Sequence, residues 1–451
     1  MSDHGLSLCT EKMRAAGVDP VAIGVFSHFY RLCERGETGI IHESSIAPLL
    51  DPPQLAEIEV TDAAAAEALG QTVIIKLNGG LGTSMGLDSA KTLLPVRNGK
   101  NFLDLIVEQV RYARQRFGVP LPLLFMDSFR TQRDTLAHLA RYPDLAVNAL
   151  PLDFLQNAEP KLRRDDLTPV EHPADPSLEW CPPGHGDLYT ALWGSGILDA
   201  LIEAGFRYAS VANGDNLGAA PNPVLAGWFA GTGAPYAAEV CPRTVNDRKG
   251  GHLAIRKSDG QLILRDTAQT APEDQVFFTD ENVHPYFHAN NLWLDLVQVR
   301  AAMRDRDGVL GLPLILNEKT VDPGDPSSTP VIQLESAMGA AIEVFAGARA
   351  IAVGRDRFLP VKTTNELMLL RSDVFDLGQD GRLVATSEIP EIDLTGRYYK
   401  LVDDFESRVK VVPSLRRAES LVVRGDWVFD EPAEVVGAVM LPETGETRYF
   451  R

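Results

Sequence analysis

The sequence predicts an α/β protein with a mainly parallel central sheet, a helical segment before it and a small β-rich domain after it. Three observations carry this. From Thr72 to about Phe375, apolar runs of strand length alternate with stretches of helical periodicity, the pattern of a parallel sheet with crossover helices. Before residue 70, helix formers dominate. After Phe375, short β-rich runs recur with Gly and Asp between them, and helical periodicity is absent. The expected divisions are residues 1–70, 71–375 and 376–451.

Each element has its own local signal. Ala63 to Leu69 (AAAAEAL) is strong helix-forming sequence, with Gly70 in a C-cap position, and Pro52-Pro53 breaks the chain before it. Thr72 to Ile75 is a β-branched strand start. Phe102 to Arg116 has helical periodicity, and Leu188 to Ala204 reads as one further helix. Leu121 to Met126 (LPLLFM) and Tyr208 to Ala212 (YASVA) read as buried strands. The runs Leu421-Val422-Val423 and Trp427-Val428-Phe429 mark the β-rich tail, with a short β-helix as one way to stack them.

The segment TVIIKLNGGLGTSMGLDSAK, Thr72 to Lys91, carries the chemistry. Gly79, Gly80, Gly82 and Gly86 follow the strand directly, and Lys91 follows them. Glycine costs backbone entropy, so such a cluster serves φ > 0 turns or close approach of N–H groups to an anion. Lysine adds mobile positive charge. The pattern points to phosphate. It is not a Walker loop, because Ala90 stands where that loop has its second glycine. It is not a dinucleotide fingerprint either, because the third glycine falls at Gly86, one residue late.

Four later segments reinforce it. WCPPGHGDLY (180–189) turns at Pro182-Pro183-Gly184, leaves His185 between two glycines, and puts Asp187 where a helix would start. SVANGDNLGA (210–219) ends an apolar strand in Asn213-Gly214-Asp215-Asn216. A strand-end carboxylate beside a phosphate loop suits Mg²⁺, although N-G-D-N is also a common turn. RFLPVKTTN (357–365) sets Lys362 before a helix capped near Thr364 or Asn365. HPYFHANNLWL (284–294) places Asn290-Asn291 before an apolar helix, where they would cap it or read sugar hydroxyls.

Composition narrows the class. A chain of 451 residues exceeds one core and implies two or three domains. A formal charge of −19 argues against a nucleic-acid binder. Cys9, Cys33, Cys181 and Cys241 are far apart and read as reduced cytoplasmic thiols, neither zinc ligands nor disulfides. Met1 to Gly17 lacks the apolar core of a signal peptide, and no run of about 18 apolar residues suggests a membrane span.

Taken together, these segments resemble the eukaryotic-type UTP–glucose-1-phosphate uridylyltransferases, the UDP-glucose pyrophosphorylases. The resemblance rests on KLNGGLGTSMG with Lys91, FLQNAEPKL (154–162), WCPPGHGDLY, NGDNLGA, EVCPRT with DRKGGHL, FHANNLW, VIQLESAMGAAI and RFLPVKTTNEL, in that order. It spans roughly residues 70 to 375. It implies a glycosyltransferase-A-like, Rossmann-like mixed sheet with a C-terminal left-handed β-helix domain. It implies conversion of UTP and glucose 1-phosphate to UDP-glucose and pyrophosphate with Mg²⁺, and leaves homo-oligomerisation open. Carried over by residue, Leu77, Asn78, Gly79 and Gly80 would border the nucleotide, and Gln156 and the Gly184 backbone would read uracil. Lys91 and Lys362 would meet the reacting phosphates. His185 would contact the sugar phosphate, and Asn290 and Asn291 would face the hexose. Asn213 and Asp215 would lie at the nucleotide–metal junction, with Asp215 on Mg²⁺. The sequence departs from the family's usual F-N-T-N-N-L-W at His288 and Ala289. Relatives that use N-acetylglucosamine 1-phosphate or several sugar phosphates, and a nonenzymatic sugar-nucleotide sensor, are the alternatives. Retention of Lys91, Asp215 and Lys362 weighs against the sensor.

Overall fold

The computed structural model describes residues 2–244, 247 and 250–451. Seven strands form the central sheet: β1 (Thr72–Asn78), β2 (Leu123–Asp127), β3 (Asp153–Leu155), β4 (Tyr208–Asn213), β5 (Tyr236–Pro242), β6 (Tyr286–Asp295) and β7 (Arg349–Ala352). Their spatial order is β3-β2-β1-β4-β6-β5-β7. Neighbours are parallel except around β6, which is antiparallel to both β4 and β5. The expected parallel sheet is therefore mixed.

Period-2 alternation sends successive side chains into two cores. Val73, Ile75, Leu124, Met126, Ala209 and Val211 face one core, which the N-terminal Phe26, Phe29 and Tyr30 complete. Ile74, Leu123, Phe125 and Tyr208 face the other, where Phe102, Ile106 and Val110 meet C-terminal Phe405, Leu415 and Leu421. Both faces are covered, so β1 and β2 are buried almost throughout. The helix Phe102–Phe117 starts at a capping box between Asn101 and Asp104 and stops at Gly118, whose φ is 66°.

Several local expectations change. The N-terminal segment has helices at Ser2–Ala15, Pro20–Glu34 and Asp62–Gly70, but residues 36–61 are mostly irregular, and Ile46–Pro48 pairs antiparallel with His252–Arg256. Gly70 is the last helical residue and Gln71 is the cap. The helix over 188–204 is two helices, Leu188–Gly194 and Ile197–Glu203. Ser195 Oγ bonds back to the Ala191 carbonyl (2.6 Å), and Gly196 adopts φ 76°. Asn290 and Asn291 lie inside β6, not before a helix. Leu292, Trp293 and Leu294 are fully buried, and the next helix starts at Leu296 under an Asp295 cap.

In the tail, three parallel strands, Glu391–Leu394, Ser414–Val423 and Glu434–Leu441, stack in that order. Two short helices, Gly396–Tyr399 and Val402–Arg408, interrupt them. Their apolar spacing, Tyr399, Val402 and Phe405, was helical in the sequence after all, and all three are buried.

Candidate active site

The carboxyl ends of β1, β2 and β4 share one edge, where ligands bind in open α/β sheets. The glycine loop leaves β1 there. Gly82 and Gly86 take φ of 66° and 77° on either side of the turn Thr83–Met85. The Lys91 N–H then bonds the Gly80 carbonyl (3.2 Å), folding the loop back. A Cβ on Gly79 would sit 2.7 Å from Gln156 Oε1, so only glycine lets that amide lie against the loop. A Cβ on Gly80 would meet nothing within 4 Å, so this stretch of backbone borders open space. A cavity of about 580 Å³ adjoins the loop, walled by Leu81, Thr83, Phe129, Arg130 and Arg133.

Lys91 Nζ donates to Asp215 Oδ2 at 2.6 Å. Both side chains are about 17% exposed, so the pair is reachable from the cleft but largely desolvated. Beside it, the Gly214 N–H bonds the Leu77 carbonyl (2.8 Å). The Asn78 side chain is fully engaged by protein. It donates to Asp127 (2.6 Å) and Thr135 (2.8 Å) and accepts from Thr92 (2.6 Å). Asn78 thus anchors the loop, and only its backbone is left to border a nucleotide.

The GHG turn is built against Ser336. Gly184 has φ 78°, and a Cβ there would lie 2.5 Å from the Ser336 carbonyl oxygen. The Gly186 N–H donates to that oxygen (2.8 Å), and the Ser336 N–H to the Pro183 carbonyl (3.0 Å). Glycine at 184 is thus required by the protein's own packing before any base is considered. His185 Nδ1 accepts the Met338 N–H (3.0 Å), which leaves the proton of a neutral ring on Nε2. Asp187 does not cap the following helix as expected. It accepts from the Asn157 backbone (2.6 Å) and side chain (2.9 Å), fixing the Gln156 loop next to the His185 turn. Burial pushes its pKa up to about 7.

The two asparagines of β6 part company. Asn290 adopts φ 57°, next to a register shift between β5 and β6, and donates to Asn213 Oδ1 (3.0 Å). Asn291 is 2% exposed. It donates to Glu239 (3.0 Å) and to the Arg357 carbonyl (3.2 Å), and accepts from Asn216 (3.0 Å). The expectation that both face a hexose is corrected: strand geometry turns Asn291 into the protein. His288 is buried and neutral, its pKa pushed down to about 3 chiefly by burial. Its Nδ1 accepts the Asn290 N–H (3.2 Å).

Lys362 is exposed, its ammonium 6.0 Å from the centre of the Phe358 ring. The helix after it, Thr364–Arg371, is capped by Thr363 in a capping box with Glu366, one residue earlier than expected. Pro360 pairs with Asn216, which brings this distant segment beside Asp215.

Sequence reading missed the charges beneath the edge. Arg357 donates to both oxygens of Glu239 (2.8 and 2.7 Å), and Trp293 also donates to Glu239 (3.0 Å). Lys76 donates to the Ala219 carbonyl (2.8 Å), with its pKa pushed down to about 7 by burial and then by Arg357. The available signal was a lone charge inside a buried apolar strand, Lys76 in TVIIKLN and Glu239 in YAAEVCP. Arg248 and Lys249 of DRKGGHL lie outside the described residues.

A mixed α/β sheet whose carboxyl edge carries a glycine loop and a lysine–aspartate pair defines the class, a phosphate-handling α/β enzyme. The sequence model of the UTP–glucose-1-phosphate uridylyltransferase family matches residues 25–435. The UTP–glucose-1-phosphate uridylyltransferase of Saccharomyces cerevisiae is 37% identical over 83% of this chain and 74% of its own length. That of Solanum tuberosum is 35% identical over 95% and 90%. A UDP-glucose pyrophosphorylase mutant from Leishmania major in complex with UDP-glucose superposes with a TM-score of 0.90 at 40% identity, covering 99% of this chain and 98% of that one. The UDP-glucose phosphorylase of Trypanosoma brucei gives 0.90 at 41%, covering 99% and 100%. The chain belongs to the UTP–glucose-1-phosphate uridylyltransferase family.

Proposed function

We infer that this chain converts UTP and glucose 1-phosphate to UDP-glucose and pyrophosphate. The observation that carries the reading is the Lys91–Asp215 pair at the mouth of the glycine loop, in a chain of this family. The phosphate oxygen of glucose 1-phosphate is already anionic. It attacks the α-phosphorus of UTP in line, and the bond to the bridging oxygen of the leaving pyrophosphate breaks. Alignment and charge neutralisation then suffice, and no general base is needed.

The chain's residues divide that work. The Gly79-Gly80 backbone borders the phosphates. Gln156, held against Gly79, pairs with the uracil edge over the Gly184 turn. The His185 Nε2–H donates to the sugar phosphate, Asn290 faces the hexose, and Asn213, bonded to Asn290, lies at the nucleotide–metal junction beside Asp215. Lys91 and Lys362 stabilise charge from the nucleotide side and from the distant segment. Asp215 fits a Mg²⁺ ion that takes most of its oxygens from substrate and water. It offers a single accessible carboxylate, and no group of three or more His, Cys, Asp or Glu among the described residues is arranged to hold a metal. When bound, such an ion neutralises phosphate charge.

The remaining assignments belong to the same reading. We propose divisions at residues 1–70, 71–375 and 376–451 and a left-handed β-helix for the tail, a reading that its stacked parallel strands support. A reducing, cytoplasmic setting suits four free cysteines. No described helix is long and apolar enough to cross a membrane. His288 and Ala289 favour a wider hexose scope as the second reading.

Pyrophosphate release with a panel of sugar 1-phosphates, and with UTP, TTP, CTP and ATP, tests the function. Glucose 1-phosphate with UTP is expected to give the highest kcat/KM. Equal use of ATP would show that the base is not read, and a preferred N-acetylhexosamine phosphate would move the chain to another substrate.

A further inference from the structure

Asp215 and Lys362 come from segments about 150 residues apart in sequence. Something must hold the two at a fixed separation, because in-line phosphoryl transfer tolerates little misplacement. Among the described residues, the side chain next to Asp215 reaches the segment that leads to Lys362. Asn216, 2% exposed, directly follows Asp215. Its Oδ1 accepts the Leu359 N–H (2.8 Å) and the Gly218 N–H (3.1 Å). Its Nδ2 donates to Asn291 Oδ1 (3.0 Å) and to the Arg357 carbonyl (3.2 Å). Its backbone pairs with Pro360, two residues before Lys362. Both ends of this amide are therefore engaged by protein, and three segments meet at it.

The surroundings are rigid in the same sense. Arg357 is locked to Glu239 by two hydrogen bonds and to the Ala220 carbonyl by a third (2.8 Å). A Cβ on Gly218 would sit 2.5 Å from the backbone at Arg357 and Asp356, so the two segments touch with no slack. By contrast, Lys362 itself is exposed and has no ion-pair partner among the described residues. Its position depends on the backbone that delivers it.

We propose that Asn216 is a positioning residue of this reaction: its side-chain amide clamps the 357–360 segment to the Asp215 turn and thereby sets where Lys362 acts. Asn216 itself is buried behind the cleft and touches no substrate. The inference rests on the reading above, in which Lys362 stabilises the reacting phosphates.

A double-mutant cycle tests it, with kcat and KM measured for wild type, Asn216→Ala, Lys362→Ala and the double variant. Asn216→Ala is expected to lower kcat about tenfold or more with KM for both substrates within about threefold. Lys362→Ala is expected to cost about 10² in the wild type but less than about tenfold in the Asn216→Ala background, because a misplaced lysine has little left to lose. A Gln156→Ala control should cost the same in either background. Asn216→Asp keeps the acceptor for the Leu359 N–H but turns both donated bonds into oxygen–oxygen contacts, and should recover little of the Lys362 effect. If Asn216→Ala melts below the assay temperature, Asn216→Ser takes its place in the cycle with the same criterion. Additive effects of Asn216 and Lys362 would overturn the positioning role while leaving Lys362 catalytic. A Lys362→Ala enzyme within about twofold of wild type would instead refute the catalytic reading of Lys362 on which the proposal stands.

Discussion

Two sets of charged side chains occupy the same edge of the sheet and have opposite fates. In the upper set, Lys91 and Asp215 are each about 17% exposed and bond one another, while Lys362 is exposed nearby. In the lower set, Arg357, Glu239 and Lys76 are almost wholly buried, with Arg357 and Glu239 bonded to each other and to further protein groups and Lys76 to the Ala219 carbonyl. Each set joins two cationic side chains to one carboxylate. What differs is spare capacity: an ammonium or carboxylate that still reaches the cleft can exchange its partner for a ligand, whereas a buried one can only hold the protein together. Losses in the upper set should therefore appear as rate and losses in the lower set as stability.

The largest effect is expected at Asp215. Asp215→Ala should lower kcat by more than about 10³-fold, with the melting temperature little changed because the Lys91 ammonium it frees still reaches the cleft. Near-normal turnover at saturating Mg²⁺, in a protein of unchanged melting temperature, would remove Asp215 from the chemistry. Glu239→Ala should show the reverse. It strands Arg357 as an uncompensated buried charge, at a cost of about 3–5 kcal/mol, read from urea unfolding. A stability loss below about 1 kcal/mol would mean that the lower set is not the foundation the geometry suggests.

The lysines sharpen the upper half of the comparison. Lys91→Ala and Lys362→Ala should each lower kcat about 10²–10³-fold, roughly 2.7–4 kcal/mol, and raise KM much less. Arginine at either place should restore part of this, since it returns charge without the compact ammonium. Steady-state kinetics decides, and a change confined to KM would mean uniform binding.

The smallest effect concerns Lys76, the lower set's one titrating base near neutrality. Its folded pKa is about 7 against 10.5 in the unfolded chain, so between these values the unfolded state binds more protons. Stability should therefore rise with pH across that window. Lys76→Met should flatten the rise and make the protein more stable than wild type at pH 7. Unfolding titrations between pH 7 and 10 check the slope, and an unchanged slope would mean that Lys76 stays charged when buried.

Much of the site was legible because local chemistry announces itself. The glycine turns at 82 and 86, the Gly184 turn and the strand end at Asn213 fell where strand and turn logic put them. Helix caps were legible to within a residue, as Thr363 and Gln71 show. The roles of the amides were not. Asn78, Asn216, Asn290 and Asn291 are alike in sequence, and each meets partners that come mostly from distant segments.

The sequence by itself determined most of the strand and helix pattern, the glycine turns of the loop and the family, because these depend on residue type and short-range spacing. The tertiary structure alone decided that β6 runs antiparallel, that Asn291 turns inward while Asn290 turns to Asn213, and that Lys91 pairs with Asp215. A strand's partner, its register and the depth of a charge are fixed by contacts among segments dozens to hundreds of residues apart. No local signal encodes them, and a shift of one residue in register exchanges the side chain that faces the cleft for the one that faces the core.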